Sequence, residues 1–199
     1  VGTTSLAMLA FLGHGLADPG RGAIVRRGLE SLARQQCGDG YFGPAGRQGG
    51  VSARNDLHHA LATQALLEGV VMGAEGFTRS DLERAVRRLE STELADAAVV
   101  TQTGLTLLMA RNLGFAVPEA QVARRLAWFD AAPKGGPAAT PTLVYQAGRT
   151  LLEELSGRRP EAVAMVHGLL ERRPDTELSG DPLGWLFASQ ALVRGKGVN

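Results

Sequence analysis

QQCGDGYFG, Gln35–Gly43, reads as the end of a helix, a tight reversal and an aromatic plug. The glycines Gly38 and Gly40 supply backbone freedom that other residues lack, so the helical pattern stops there and the chain turns back. Phe42 follows at once, and its ring reads as a plug that is expected to be buried. The stretch lies between an arginine-bearing helix, VRRGLESL (Val25–Leu32), and a second helix in DLHHALATQALLEG (Asp56–Gly69).

That second helix recurs. ATQALLEG (Ala62–Gly69) returns as VYQAGRTLL (Val144–Leu152) and as ASQALVRG (Ala188–Gly195), with TGLTLLMA (Thr103–Ala110) between the first two. From Gln64 to Leu105, Gln146 and Gln190 the interval is about 41 to 44 residues, a period found in helical-hairpin repeats. These helices are small, apolar and poor in charge. Amphipathic helices alternate with them and carry an arginine pair ahead of an apolar residue, in VRRGLESL, in VRRLEST (Val86–Thr92) and in ARRLAWF (Ala123–Phe129). Buried inner helices alternating with half-solvated outer ones predict an all-α fold of helical hairpins, as an open solenoid or a closed (α/α) toroid. Small residues on the inner set, Ala60, Ala62, Gly104, Ala188 and Ser189, permit close approach to a crowded centre and favour the ring. The arginine pairs read as a solvated rim, with a phosphate or partner patch as the other reading.

Composition sets outer bounds. With 199 residues, 44% hydrophobic content and a net charge of +1, the chain is expected to form one soluble globular unit spanning residues 1–199. An electrostatic nucleic-acid binder and a disordered tail are both excluded. The single Cys37 excludes an intrachain disulfide and any multi-cysteine zinc module, and leaves the compartment open. No apolar run reaches the roughly 18 residues needed to span a bilayer, because Thr3, Thr4 and Gly13 interrupt the longest candidates. Val1 already stands inside a helical pattern, which reads as a piece of a longer or processed protein.

Helix boundaries can be assigned. Apolar residues fall at three-and-four spacing in Ser5–Leu12 and in Leu61–Val71. Gly73, Gly114, Gly157 and Gly195 stand near the ends of periodic runs, where a left-handed cap suits glycine, and Pro118 and Pro160 open the runs that follow. Ser80 with Glu83 has the spacing of a capping box, placing a helix over residues 80–93.

Gln36, Asp39, Gly40, Phe42 and Gly43, set between an outer helix and the next inner one, resemble the repeat turn of the squalene cyclase and protein prenyltransferase superfamily. DLHHALATQALLEG resembles the inner helix that follows that turn. The resemblance implies an α/α toroid in which the glutamine side chain caps helix ends, the glycines permit the reversal and the aromatic ring wedges between hairpins. It makes Phe42 structural, with Tyr41 and Trp128 expected to pack likewise. The turn motif occurs once; Ser91–Ala98 and Ala131–Thr140 stand at equivalent positions without it. About nine helices are readable where a closed ring of this kind has about twelve. The implied ring is incomplete, and its ends at Val1–Leu12 and Leu183–Val193 call for further helices, a second copy or a partner domain.

The chemistry of that superfamily does not carry over residue by residue. Class II terpene cyclases protonate with a D-x-D-D acid motif, which the chain lacks. Protein prenyltransferases bind zinc through an aspartate and a cysteine two residues apart and a histidine on the next inner helix. His59 resembles the histidine position, but Val1 and Thr3 stand where the other two ligands belong, and one imidazole does not make a catalytic zinc site. Cys37 and Asp39 have the spacing of a turn. No G-x-S-x-G elbow is present, and GPAGRQGG (Gly43–Gly50) lacks the ending of a phosphate loop. His14 and His167 stand alone. Aromatic content of 5% equips a cavity poorly for stabilising carbocations. No catalytic residue, metal ligand or cofactor is therefore assigned.

Asn55, Asp56, His58 and His59 are the candidate ligand-binding residues, since they fall at the mouth of an inner helix where a toroid presents its cavity. A satisfied hydrogen-bond cluster is the competing reading. Two functional classes follow. One is a non-catalytic ligand-binding or protein-interaction module, with a protein partner or a second copy at the ring ends, or a hydrophobic small molecule, and with no nucleic acid and no transmembrane segment. The alternative is an isoprenoid-handling enzyme, a terpene cyclase or prenyltransferase relative whose catalytic residues lie outside this chain.

Overall fold

The computed structural model describes residues 1–12, 19–43, 53–131, 142–157 and 186–188. His14, Gly195, Pro160, His167, Ser189, Gln190 and most of the expected ring end at 183–193 lie outside them. The described residues are all-helical: α1 (Gly2–Leu12), α2 (Pro19–Ala33), α3 (Ala53–Val71), α4 (Arg79–Glu90), α5 (Ala97–Asn112), α6 (Glu119–Ala131) and α7 (Thr142–Leu155), with a further helical stretch at 186–188. No helix among them is long and apolar enough to cross a membrane. Contacts divide the chain into two units, one comprising Val1–Glu93 and Met109–Val117 and the other Leu94–Leu108 and Pro118–Asn199.

In the first unit α3 is the central element, packed against α1, α2 and α4. Its middle, where the sequence carries no charge, is buried on several sides through Ala60, Leu61, Ala62, Ala65, Leu66 and Leu67. Small residues set the packing distances: the ring of His58 lies directly over Gly2, and the Met8 side chain lies over Gly28. α4 buries Leu82, Ala85, Val86 and Leu89, an i, i+3, i+4, i+7 stripe.

The start of α4 differs from the sequence expectation. Its N-cap is Thr78 and not Ser80: Thr78 Oγ1 accepts from the Asp81 N–H at 3.2 Å, while the Asp81 carboxylate accepts from the Thr78 N–H at 2.7 Å. Thr78–Asp81 thus closes a reciprocal cap two residues upstream of the expected one. Helix ends at glycine follow expectation. Gly73, Gly114 and Gly157 take φ of +74°, +78° and +74°. After α3 the Ala74 N–H donates to Gly69 O at 2.8 Å, satisfying a terminal carbonyl.

The second unit packs Ala97, Val100, Leu105 and Leu108 of α5 with Val122, Leu126 and Phe129 of α6, Val144, Ala147, Leu151 and Leu152 of α7, and Phe187. Trp128 is half-buried against this core, edge-on to Phe129 at 5.2 Å between centroids. Gly104 and Gly148 mark close approaches. A Cβ at Gly104 would meet Leu152 Cδ2 at 2.7 Å, and one at Gly148 would meet Thr101 Oγ1 at 1.9 Å.

The arginine pairs do not behave as one class. Arg26, Arg27, Arg87 and Arg124 are exposed, whereas Arg88 is half-buried and Arg125 is 0% exposed. Arg125 Nε donates to Thr103 Oγ1 at 2.9 Å and its Nη1 donates to Gln121 O at 2.8 Å. The solvated-rim reading fails for Arg125 because its position shares the buried face of α6 with Val122, Leu126 and Phe129. A guanidinium on that face must be hydrogen-bonded to be tolerated.

Candidate functional site

The first unit carries a cleft of about 650 Å³ where the end of α2, the turn at 35–43 and the first turn of α3 meet. Arg34, Gln36, Cys37, Phe42, Asn55 and His58 are among its lining residues.

The turn is built from local chemistry. The Cys37 N–H donates to Tyr41 O at 2.8 Å, the Gly40 N–H to Cys37 O at 2.9 Å and the Tyr41 N–H to Asp39 Oδ1 at 3.1 Å, so the short side chain of Asp39 stabilises the reversal. Gly40 takes φ +89°, the left-handed region that glycine adopts without a Cβ penalty. Gln36 and Phe42 face each other across an isolated antiparallel bridge.

Side chains then fasten this turn to α3 and α4. Gln36 Nε2 donates to Gly40 O at 3.1 Å and to Asp81 O in α4 at 2.9 Å, so one amide closes the turn and ties it to the next helix. Phe42 is 1% exposed. His59 completes the attachment: the Phe42 N–H donates to His59 Nδ1 at 3.2 Å, and His59 Nε2 lies 3.2 Å from Ala85 O. Because the Phe42 N–H can only donate, Nδ1 must accept and the proton resides on Nε2. Both ring nitrogens are thereby committed to main-chain groups. The ring also packs between Tyr41 and Phe42, at 4.9 and 5.7 Å between centroids.

Tyr41 caps this cluster outwardly. Its hydroxyl is 3.5 Å from Asp56 Oδ1, and the Arg88 guanidinium lies 5.2 Å from its ring centroid, within cation–π range. Electrostatics follow burial throughout. Burial drives the His59 pKa down to about 3, against the hydrogen bond to Ala85 O, so the ring is neutral. Burial raises the Asp56 pKa, opposed by Arg88, and pushes Tyr41 up to about 12, with the Asp56 charge adding to it. His58 is lowered, by burial first and with the nearby Arg54 charge adding to it.

The candidate residues therefore separate into two pairs. Asn55 and His58 line the cleft. Asp56 and His59, 2% and 0% exposed, belong to the brace behind its wall. Cys37 shares the cleft with His58, while Asp39 is engaged in the turn. Among the described residues no group of three or more histidine, cysteine, aspartate or glutamate side chains gathers where a metal ion could be held. The lining offers amide, imidazole and thiol groups beside the Phe42 ring, a set suited to holding a small polar molecule by hydrogen bonds.

Sequence reasoning does not single out Arg88, and its pairing with Arg87 gives no signal of its role. Its register does: it lies four residues from Arg84 and one from the buried stripe of α4, on the flank that meets the turn. Comparisons with protein-family models, curated proteins and solved structures give no match.

Proposed function

We propose that the chain is a non-catalytic interaction module, built on inner and outer helical hairpins arranged toward a toroid of the squalene cyclase and prenyltransferase kind, which docks a protein partner or a second copy through α1. The observation that carries this reading is the outer face of α1. Thr3, Leu6, Ala7, Ala10 and Phe11, at i, i+3, i+4, i+7 and i+8, are all exposed, with Leu6 at 43% and Phe11 at 44%. The helix holds no charged residue at all. A helix without charge and with large apolar side chains on opposite sides is ordinarily buried on both, and here the fully buried residues are confined to the Gly2, Ser5, Met8 and Leu12 face. The repeat period and the single turn motif support the toroid part of the reading, and the polar cleft beside α3 gives the module a place for a small ligand.

Leu6→Glu with Phe11→Glu tests it. Both positions are exposed, so the folded chain should melt as before. Association, measured by native mass spectrometry and light scattering, is expected to weaken about a hundredfold or more, since each carboxylate would be buried without a counter-charge. A wild-type chain that stays monomeric and retains stoichiometric zinc or farnesyl diphosphate would overturn the module in favour of an isoprenoid-handling enzyme.

A further inference from the structure

We propose that residues 36–43 form an acid-released latch: neutral His59 holds the turn against α3 and α4, and protonation of its ring undocks the turn and opens the cleft whose wall the turn forms. The latch rests on the brace around His59 and not on the docking role of α1.

Geometry defines the latch. Nδ1 of His59 is an acceptor for the Phe42 N–H, while Nε2 donates to Ala85 O, so a single imidazole joins the turn to the main chain of α4. A protonated imidazole carries a donor on both nitrogens. The added proton would face the Phe42 N–H, a donor against a donor, in a site with no water-exposed surface on His59. Other ties of the turn include the Gln36 amide on Asp81 O, the seat of Gly40 on the Arg84 main chain, the long Tyr41–Asp56 contact, the Arg88 guanidinium over the Tyr41 ring and the buried Phe42 ring. None of them can take over the acceptor that Phe42 loses.

The charges around the ring decide the sign. Arg88, from α4, repels a proton on His59, and Asp39, in the turn, attracts one more weakly. Asp81 is already bound to the Thr78 N–H and to Arg84 Nη2 at 2.6 Å. Asp56, on α3, works the opposite way. Its pKa is raised in the docked state, so its protonation favours docking and flattens the effect in stronger acid. His59 has its ordinary value near 6.5 when released and a depressed one when docked, so the released state gains protons as the pH falls below 6.5. One proton taken up on release shifts the docking equilibrium about 25-fold between pH 7 and pH 5.

Cys37 is the chain's only cysteine, sits in the turn and is half-buried, so its thiol reports release. The full chain is labelled with dithiodipyridine between pH 7 and pH 4.5, and each rate is divided by that of the urea-unfolded chain at the same pH. The ratio is expected to rise from pH 7 to pH 5, by up to about 25-fold where labelling of the half-buried thiol requires release, and to stay flat in His59→Gln, whose amide does not titrate. A flat ratio in the wild type, or an equal rise in His59→Gln, would overturn the latch. Should His59→Gln not fold, amide exchange of the wild type decides. Protection of Gly40 and Phe42 must fall with pH while that of Leu66 and Leu89 holds, and simultaneous loss at all four would mean global unfolding and no latch.

Discussion

Gly148→Ala is expected to destabilise the second unit by about 3 kcal/mol, the upper end of overpacking costs in well-packed cores. A Cβ at that position would lie 1.9 Å from Thr101 Oγ1, 3.0 Å from its Cβ and 3.1 Å from its Cγ2. Thr101 is 0% exposed and sits on a helix, where a β-branched side chain has few alternative rotamers, so it cannot swing aside. Its hydroxyl has no hydrogen-bond partner among the described residues, so nothing is lost with it beyond packing. That identifies the remedy. Thr101→Ala removes Oγ1 and Cγ2 and leaves only the Cβ at 3.0 Å, a gap that a few tenths of an ångström of helix shift relieves. Urea unfolding of the two single variants and the double variant should give a favourable coupling of about 1–3 kcal/mol. Strict additivity would show that the two helices do not meet as described.

Gly40→Ala should cost a similar amount, about 3 kcal/mol, by two independent routes. The residue holds φ +89°, where an alanine is strained by about 1–2 kcal/mol. Its Cβ would also lie 2.5 Å from both the carbonyl carbon and the oxygen of Arg84, main-chain atoms of α4 that cannot rotate away. The neighbouring Gly38 supplies the control, for it has no positive φ and nothing within 4 Å of the place a Cβ would take. Gly38→Ala is therefore expected to change stability by no more than about 0.5 kcal/mol. Thermal unfolding of the two variants should differ widely, and equal melting temperatures would show that the turn is not seated tightly on α4.

Much of this arrangement is legible in the sequence, and the exceptions have physical causes. Periodicity in Leu61–Val71 and the capping glycines after α3, α5 and α7 report local geometry, which short-range chemistry controls. The burial of Phe42 follows from an aromatic residue placed beside a glycine turn. Thr78 and Ser80 are another matter: T-x-x-D and S-x-x-E overlap in register, both satisfy the spacing of a capping box, and only the chain's entry angle selects between them. Arg124 and Arg125 look alike as a pair, yet only the second shares the face of Val122, Leu126 and Phe129; register against the apolar stripe separates them. Proximity along the chain groups His59 with Asn55, Asp56 and His58. Its partners are the Phe42 N–H and the Ala85 carbonyl, and main-chain groups leave no mark on residue identity.

The two adjacent histidines have separate places in the first unit: His59 is held between the main chain of the turn and of α4, and His58 lines the cleft. Nitrogen-15 NMR of the imidazole side chains over a pH series, with and without zinc, examines that separation directly. His59 is expected to be neutral, protonated on Nε2, without a titration near pH 6.5 and unmoved by zinc. A His59 that carries its proton on Nδ1, titrates near 6.5 or shifts on adding zinc would contradict the brace.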